Sequence, residues 1–229
     1  MYENFRYLRV DDHPAYLKAT YRLRHSVYCR EKKFLPENDY PDRLEIDAYD
    51  SHSVHFAAID DEDLVKGTVR LVFPVAGLSL PLYDHCTLDV PVSPTTWEVS
   101  RLAISKRYRR PAAPPRVDDA FGLTVMTMGL EEEERTQVNR LRRTVVTGLF
   151  MLMWQEARRL GAENILVAME PTLARLLARN NIDFERVGPE VDYYGPVYPY
   201  LMNIGNFERN LAQKNPALFE KYWSGVKKP

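Results

Sequence analysis

Trp97-Glu-Val-Ser-Arg-Leu-Ala-Ile-Ser105 is the stretch whose reading decides the fold. Its apolar and β-branched residues mark a strand, yet it holds an acid, Glu98, and a base, Arg101. A charge in a buried strand costs several kcal/mol unless it is paired or used. Two such residues in one strand point to a polar site built on a sheet. Upstream, Arg24, Asp47, Asp50 and Arg70 lie on or beside short apolar runs and are candidates for the same site. In a regular strand, residues 98 and 101 face opposite sides. A β-bulge near Val99 to Leu102 would bring both to one side, and bulges are frequent beside active sites.

Outward from this strand, the spacing of Leu17, Thr20, Tyr21, Leu23, Val27 and Tyr28 predicts a helix over 14–33, with Pro14 in its first turn. Two prolines, Asn38 and Asp39 make 34–42 a loop. Residues 53–59 and 64–73 read as strands joined by the acidic turn Asp60 to Asp63, a hairpin. The five prolines and glycines of 74–95 make that segment mostly irregular, and 106–118 is basic and Pro-rich. Val145, Leu149, Leu152, Met153 and Ala157 give Leu141 to Leu160 an apolar helical face, with Gly161 as its stop. A short strand over 165–169 follows, then a helix from Pro171 to about Asn180, sheet elements at 184–187 and 197–203, and a terminal helix. A strand, a crossover helix and a strand over 97–169 imply a parallel pair within a mixed sheet. No internal repeat or low-complexity linker divides the chain, so one domain spans 1–229.

Composition narrows the classes. Hydrophobic residues make up 45% of the 229 and charged residues 28%, an ordinary balance for a soluble domain. Lys plus Arg (31) nearly cancels Asp plus Glu (32), so a nucleic-acid or membrane attraction would need local clustering. The clusters Arg107–Arg110 and Arg140–Arg143 lack interleaved aromatic residues, which argues against nucleic acid as a partner. Cys29 and Cys86 lie far apart without metal spacing and fit a reducing cytoplasm. His13, His25, His52, His55 and His85 show no ligand spacing, and each reads as a satisfied surface or core residue, so no metal is expected. Ser100 has no His/Asp set near it in sequence. No leader-like N-terminus and no run of ~20 apolar residues is present, so neither a leader nor stable membrane insertion is expected.

Five pieces, in order, carry a family likeness: Leu23-Arg-His-Ser-Val-Tyr-Cys-Arg-Glu-Lys-Lys-Phe34, Asp47-Ala-Tyr-Asp50, Gly67-Thr-Val-Arg70, Trp97-Glu-Val-Ser-Arg101 and Gly188-Pro-Glu-Val-Asp-Tyr-Tyr-Gly195. On these the chain resembles the autoinducer (acyl-homoserine-lactone) synthases and the related N-acyl amino acid synthases. It is most similar to the acyltransferases associated with PEP-CTERM/exosortase systems. The resemblance implies an α/β fold of the GNAT N-acyltransferase type: a mixed central sheet flanked by helices, with a splayed central strand. It further implies one acyltransferase domain in which 1–50 forms a lid and amine-site segment, 106–140 an insertion and 206–229 a C-terminal helix.

Carried over, Arg24, Asp47, Asp50, Arg70, Glu98 and Arg101 match the family's charged set. Tyr28 and Phe34 stand where autoinducer synthases have Phe and Trp, which favours a plain amine, such as an amino acid, over S-adenosylmethionine. The resemblance places an acyl-phosphopantetheine thioester, a co-substrate and not a bound cofactor, in the gap between the central strand and 165–169. Ser100, Leu102 and Ala103 would line it, and a backbone N–H near Arg101 to Ala103 would polarise the thioester carbonyl. Glu98 would accept the amine's proton if burial raises its pKa. Acetyl-coenzyme A enzymes of this fold carry an Arg/Gln-x-x-Gly-x-Gly/Ala phosphate loop after the central strand. Here Lys106-Arg-Tyr-Arg-Arg-Pro stands there without glycine, which argues for acyl carrier protein as donor and partner. Arg107, Arg109, Arg110, Arg142 and Arg143 would dock that acidic carrier. Phe150 and Met153 would line an acyl tunnel, or belong to plain core. Other readings stay open: Arg101, Asp50 and Arg70 as a structural ion-pair network, Arg24 as a solvated helix residue, a coenzyme-A-dependent N-acetyltransferase, an acyl-homoserine-lactone synthase, or a silent module that binds acyl chains or proteins.

Overall fold

The quoted stretch is strand β4, Thr96–Ile104, in a computed structural model that describes residues 5–91, 93–105, 132–179 and 181–223. The chain forms two compact units, Met1–Arg70 with Arg101–Leu152, and Leu71–Ser100 with Met153–Pro229. β4 therefore gives its first residues to one unit and its last to the other.

In the first unit, β1 (Arg6–Arg9) pairs antiparallel with β2 (Ser53–Ile59), Arg6 facing Ile59 and Arg9 facing Phe56. β2 turns into β3 (Val65–Val72) as the expected hairpin. The Asp60 carboxylate holds that turn, accepting from the Glu62 and Leu64 N–H groups at 3.1 and 2.9 Å. Helix α3 (Glu132–Arg159) lies close on this layer because glycine permits it. A Cβ on Gly67 would come within 2.5 Å of Val145 Cγ1, and one on Gly148 within 2.1 Å of the Tyr7 ring. Tyr7 then donates its hydroxyl to the Thr144 carbonyl at 2.9 Å. The helix expected over 14–33 is α1 (Pro14–His25) continued by a π-helical turn, Ser26–Glu31. The Lys32 N–H bonds the Val27 carbonyl at 2.9 Å, five residues back, a geometry frequent at functional sites. Lys33, at φ 56°, ends it.

In the second unit, β4 pairs parallel with β5 (Asn164–Met169), and β5 pairs antiparallel with β8 (Pro196–Asn203). This is the mixed pairing that the strand–helix–strand order implies. β6 (Glu185–Arg186) and β7 (Val191–Asp192) add short antiparallel pieces to β8. The parallel register runs from Thr96↔Asn164 to Val99↔Val167 and ends there. β5 continues for two residues, Ala168 and Met169, still paired with Pro199 and Tyr198 on its other side. Just past the end of the ladder, Arg101 adopts φ 53°. That left-handed backbone breaks the alternation of the strand within the span where a bulge is expected.

Several elements differ from the expectations. α2 (Pro81–His85) forms inside the segment read as irregular, with Pro81 in its first turn, where a missing N–H costs nothing. α3 starts at Glu132, so the last residues of the expected 106–140 insertion are helical, while 106–131 lie outside the described residues. After α4 (Pro171–Ala178), the single terminal helix expected from 206 is two helices, α5 (Ile204–Lys214) and α6 (Pro216–Trp223). Pro216 cannot continue α5, and Asn215 instead accepts the Leu218 N–H at 3.1 Å. The core of this unit includes Met153, Ile165, Leu166 and Trp154, whose ring meets Phe207 edge-on at 5.9 Å. Among the described residues no helix is long and apolar enough to cross a membrane.

Candidate active site

The first unit gathers three arginines and three carboxylates into one buried network. Arg24, at the end of α1, is 0% exposed, so the solvated reading of this residue does not hold. Its Nε donates to Glu45, and its two terminal nitrogens grip Asp50 at 2.7 and 3.0 Å. Arg70, on β3, bonds Asp47 and, at 2.9 Å, Asp50. Arg101, on β4, donates from Nε to Glu45 at 3.0 Å and from a terminal nitrogen to Asp47 at 2.8 Å. Three positive and three negative charges close on one another, which is the condition under which buried charges persist.

Local structure presents the acids. Asp47 is the N-cap of a 3₁₀ turn, Ala48–His52, and accepts from Tyr49 N–H at 3.0 Å, while Asp50 accepts from Asp47 N–H at 2.8 Å. This reciprocal box fixes both side chains before any arginine arrives. Glu45 and Asp47 flank exposed Ile46, and extended backbone puts residues two apart on one side. Glu45 is a member of the network that sequence reading missed, and that alternation was the signal for it.

The electrostatics follow. Burial alone would raise Asp50, but the hydrogen bonds from His55 and Arg24 and the charges of Arg24 and Arg70 hold it far below the usual carboxylate range. Burial likewise opposes Asp47, and Arg70 and Arg101 outweigh it and lower the group. Groups depressed in the folded state stabilise it fully above their unfolded value, and that stability is lost as pH falls through the folded one. The urea midpoint is therefore expected to fall as pH drops below the ordinary aspartate value of about 3.9, and a midpoint that holds steady through that range would contradict the closed network.

The aromatic residues serve this frame. The Tyr28 ring lies 5.5 Å from the Arg101 guanidinium, and its hydroxyl donates to the Leu102 carbonyl at 3.1 Å. Burial pushes that phenol up to about 12. Phe34 meets Tyr28 at 6.2 Å, and both pack with Ala103 and Val27. Tyr28 therefore uses a hydroxyl that phenylalanine would lack, to hold the residue next to Arg101.

In the second unit, Glu98 is 1% exposed. It accepts the Leu82 N–H of α2 at 2.8 Å and lies opposite Leu166 in the parallel ladder. Around Leu82 and Leu166 pack Val187, Tyr83, Cys86 and Tyr193, an apolar setting for a carboxylate. Burial first and the Glu98 charge second push the Cys86 thiol up to about 11. Burial, helped by Glu45, does the same to Cys29. Both thiols are thereby kept from the thiolate form a nucleophile needs.

Ser100 and Leu102 are half-buried on β4, and Ala103 is buried. Phe150 and Met153 are buried on α3. Arg142 is also buried, which corrects its assignment to a docking surface, whereas Arg143 is exposed. Arg107, Arg109 and Arg110 lie outside the described residues, as does the glycine-free segment that begins at Lys106. His55 and Asp11, which join the network through Asp50, were not anticipated. Among the described residues no group of three or more His, Cys, Asp or Glu is placed to hold a metal ion.

Residues 23–116 match the acetyltransferase (GNAT) domain family. No curated protein gives a significant match. Among solved structures, TofI in a ternary complex with an inhibitor and MTA aligns over 95% of this chain and 100% of its own, at 19% identity and a TM-score of 0.61. BjaI, described as a CoA-dependent acyl-homoserine lactone synthase with SAM and isopentyl-CoA, aligns over 93% and 89%, at 16% identity and a TM-score of 0.60. FeeM, an N-acyl amino acid synthase from uncultured soil microbes, aligns over 93% and 96%, at 12% identity and a TM-score of 0.53. The chain has the GNAT fold, with acyl-homoserine lactone synthases and an N-acyl amino acid synthase among its structural neighbours.

Proposed function

Starting from the GNAT fold, we propose that this chain is an N-acyltransferase that moves a fatty acyl group from acyl carrier protein to an amine, an amino acid being the favoured acceptor. The observation that carries the reading is the parallel ladder ending at Val99↔Val167, one residue after a buried carboxylate, Glu98. A strand edge released from its ladder offers peptide groups to an extended thioester arm, as β-augmentation does for peptides. On this reading the arm pairs with the edge of β5 beyond Val167. Ser100 and Leu102 contact the reacting end, and peptide N–H groups of Arg101 to Ala103 stabilise the oxyanion. The amine nitrogen attacks the thioester carbonyl and gives its proton to Glu98. The C–S bond then breaks, and the departing thiolate takes up a proton as the thiol leaves.

Arg24, Asp47, Asp50, Arg70, Tyr28 and Phe34 shape the amine side, and Phe150 and Met153 border the acyl chain. FeeM's description as an N-acyl amino acid synthase supports the choice of acceptor. Acyl-coenzyme A is the second donor reading, because BjaI, described as CoA-dependent, shares the fold. Purified protein incubated with an amino-acid mixture and either long-chain acyl carrier protein or acyl-coenzyme A is expected to form an N-acyl product from the carrier-bound donor. The rate should fall steeply as salt rises, because an acidic carrier docks through charge. Product from acyl-coenzyme A alone would reassign the donor, and no acylated amine from either would overturn the reading.

A further inference from the structure

We propose that His55, held between Asp11 and Asp50, is a doubly protonated bridge and a positioning residue for the arginine network. His55 lies on β2, 2% exposed. Its Nδ1 is 2.9 Å from an Asp11 oxygen and its Nε2 is 2.9 Å from an Asp50 oxygen. A neutral imidazole has one N–H and one lone pair, and an ionised carboxylate can only accept. Two bonds of hydrogen-bond length therefore require a proton on each ring nitrogen, unless one acid holds the proton itself. Asp50 is poorly suited to do so, since it also accepts from Arg24, Arg70 and the Asp47 N–H. Asp11 accepts from Arg9 Nε at 3.0 Å and from the His55 N–H. The proton belongs to the imidazole.

The other groups facing His55 fit this assignment. From α1, Tyr21 meets the ring edge-on at 5.5 Å. Arg24 and Arg70 donate to the same Asp50 oxygen as the ring, so that carboxylate is shared by all three cations. Burial opposes the charged ring, and the Arg24 charge adds to that. The bonds to Asp11 and Asp50 and the Asp50 charge outweigh both and raise the group. His55 thus ties the loop after β1 to the acid that orients Arg24 and Arg70. Through their shared partners Glu45 and Asp47, the tie reaches Arg101. Loss of the ring proton would leave a lone pair facing a carboxylate. A group raised in the folded state contributes fully below its unfolded value and loses that contribution as pH rises through the folded one. The network is therefore tight below that raised value and loosens as pH rises through it.

Only the link to catalysis rests on the acyltransferase reading; the bridge does not. Nitrogen NMR of the full chain reads it directly, with His55→Gln identifying the resonances. Both ring nitrogens are expected to be protonated at pH 7.5, with a titration midpoint above the ordinary histidine value. Asp11→Asn should lower that midpoint by about one unit or more, the effect of removing an adjacent opposite charge. Exchange of the Arg24 and Arg101 Nε protons should accelerate through the same pH range, beyond the rise that hydroxide gives alone, and Asp11→Asn should shift that acceleration downward with the midpoint. An unprotonated ring nitrogen at pH 7.5 would overturn the bridge. Arginine exchange indifferent to the His55 titration would overturn the positioning role. Absence of acyl transfer would count against the proposed function and leave both of these readouts standing.

Discussion

Glu98→Gln is expected to lower kcat by roughly 10²–10⁴-fold, the usual contribution of a positioned general base, while leaving the fold intact. The amide keeps the shape of the side chain and an oxygen to accept the Leu82 N–H, the bond that secures Glu98 to α2. It cannot take a proton from the attacking amine. KM should change little, since the lost interaction arises only as the nitrogen gives up its proton. A general base also shapes the pH–rate profile, so the profile of the variant should differ from that of the intact protein. Near-normal turnover with an unchanged pH profile would remove Glu98 as the base.

The largest stability effect is expected at Arg24. Its guanidinium is the common partner of Glu45 and Asp50, and neither the arginine nor Glu45 has access to water. Arg24→Ala would leave both acids short of positive charge in a buried setting, which typically costs about 3–5 kcal/mol. For a chain of this size each kcal/mol shifts Tm by about 2–4 °C, so a fall of roughly 6–20 °C is expected. Arg24→Lys should lose less, retaining charge but not the planar fork that grips Asp50 with two nitrogens. Calorimetry on the two variants checks both size and order. A loss under about 1 kcal/mol for the alanine variant would mean that the network does not act as a closed unit.

How far the sequence reached depended on what each residue interacts with. The α3 core face was legible because burial imposes a period on apolar residues, and the hairpin of β2 and β3 because two short runs of strand formers flank an acidic turn. β1 was not, since in the four residues Arg-Tyr-Leu-Arg the two ends are exposed and the two central residues half-buried, which gives no such period. α2 is too short for a helical repeat to register. The break in β4 was legible from a conflict: two charges three residues apart in one strand, resolved by the positive φ at Arg101. Arg24, Asp47, Asp50, Arg70 and Arg101 were singled out, and the structure brings these five together with Glu45. It places Glu98 in the other unit, against α2. The histidine bridge was hidden because β2 is buried on both faces. Alternation there says nothing about a partner, and Asp11 lies 44 residues away in sequence.

The most direct measurement is mass spectrometry of lipid extracts from cells that overproduce the protein, compared with cells that overproduce Glu98→Ala. A new N-acylated amine, present with the intact protein and missing with the variant, is the predicted result, and its mass gives both acceptor and chain length. Extracts that match each other and the empty host would contradict acyl transfer by this chain.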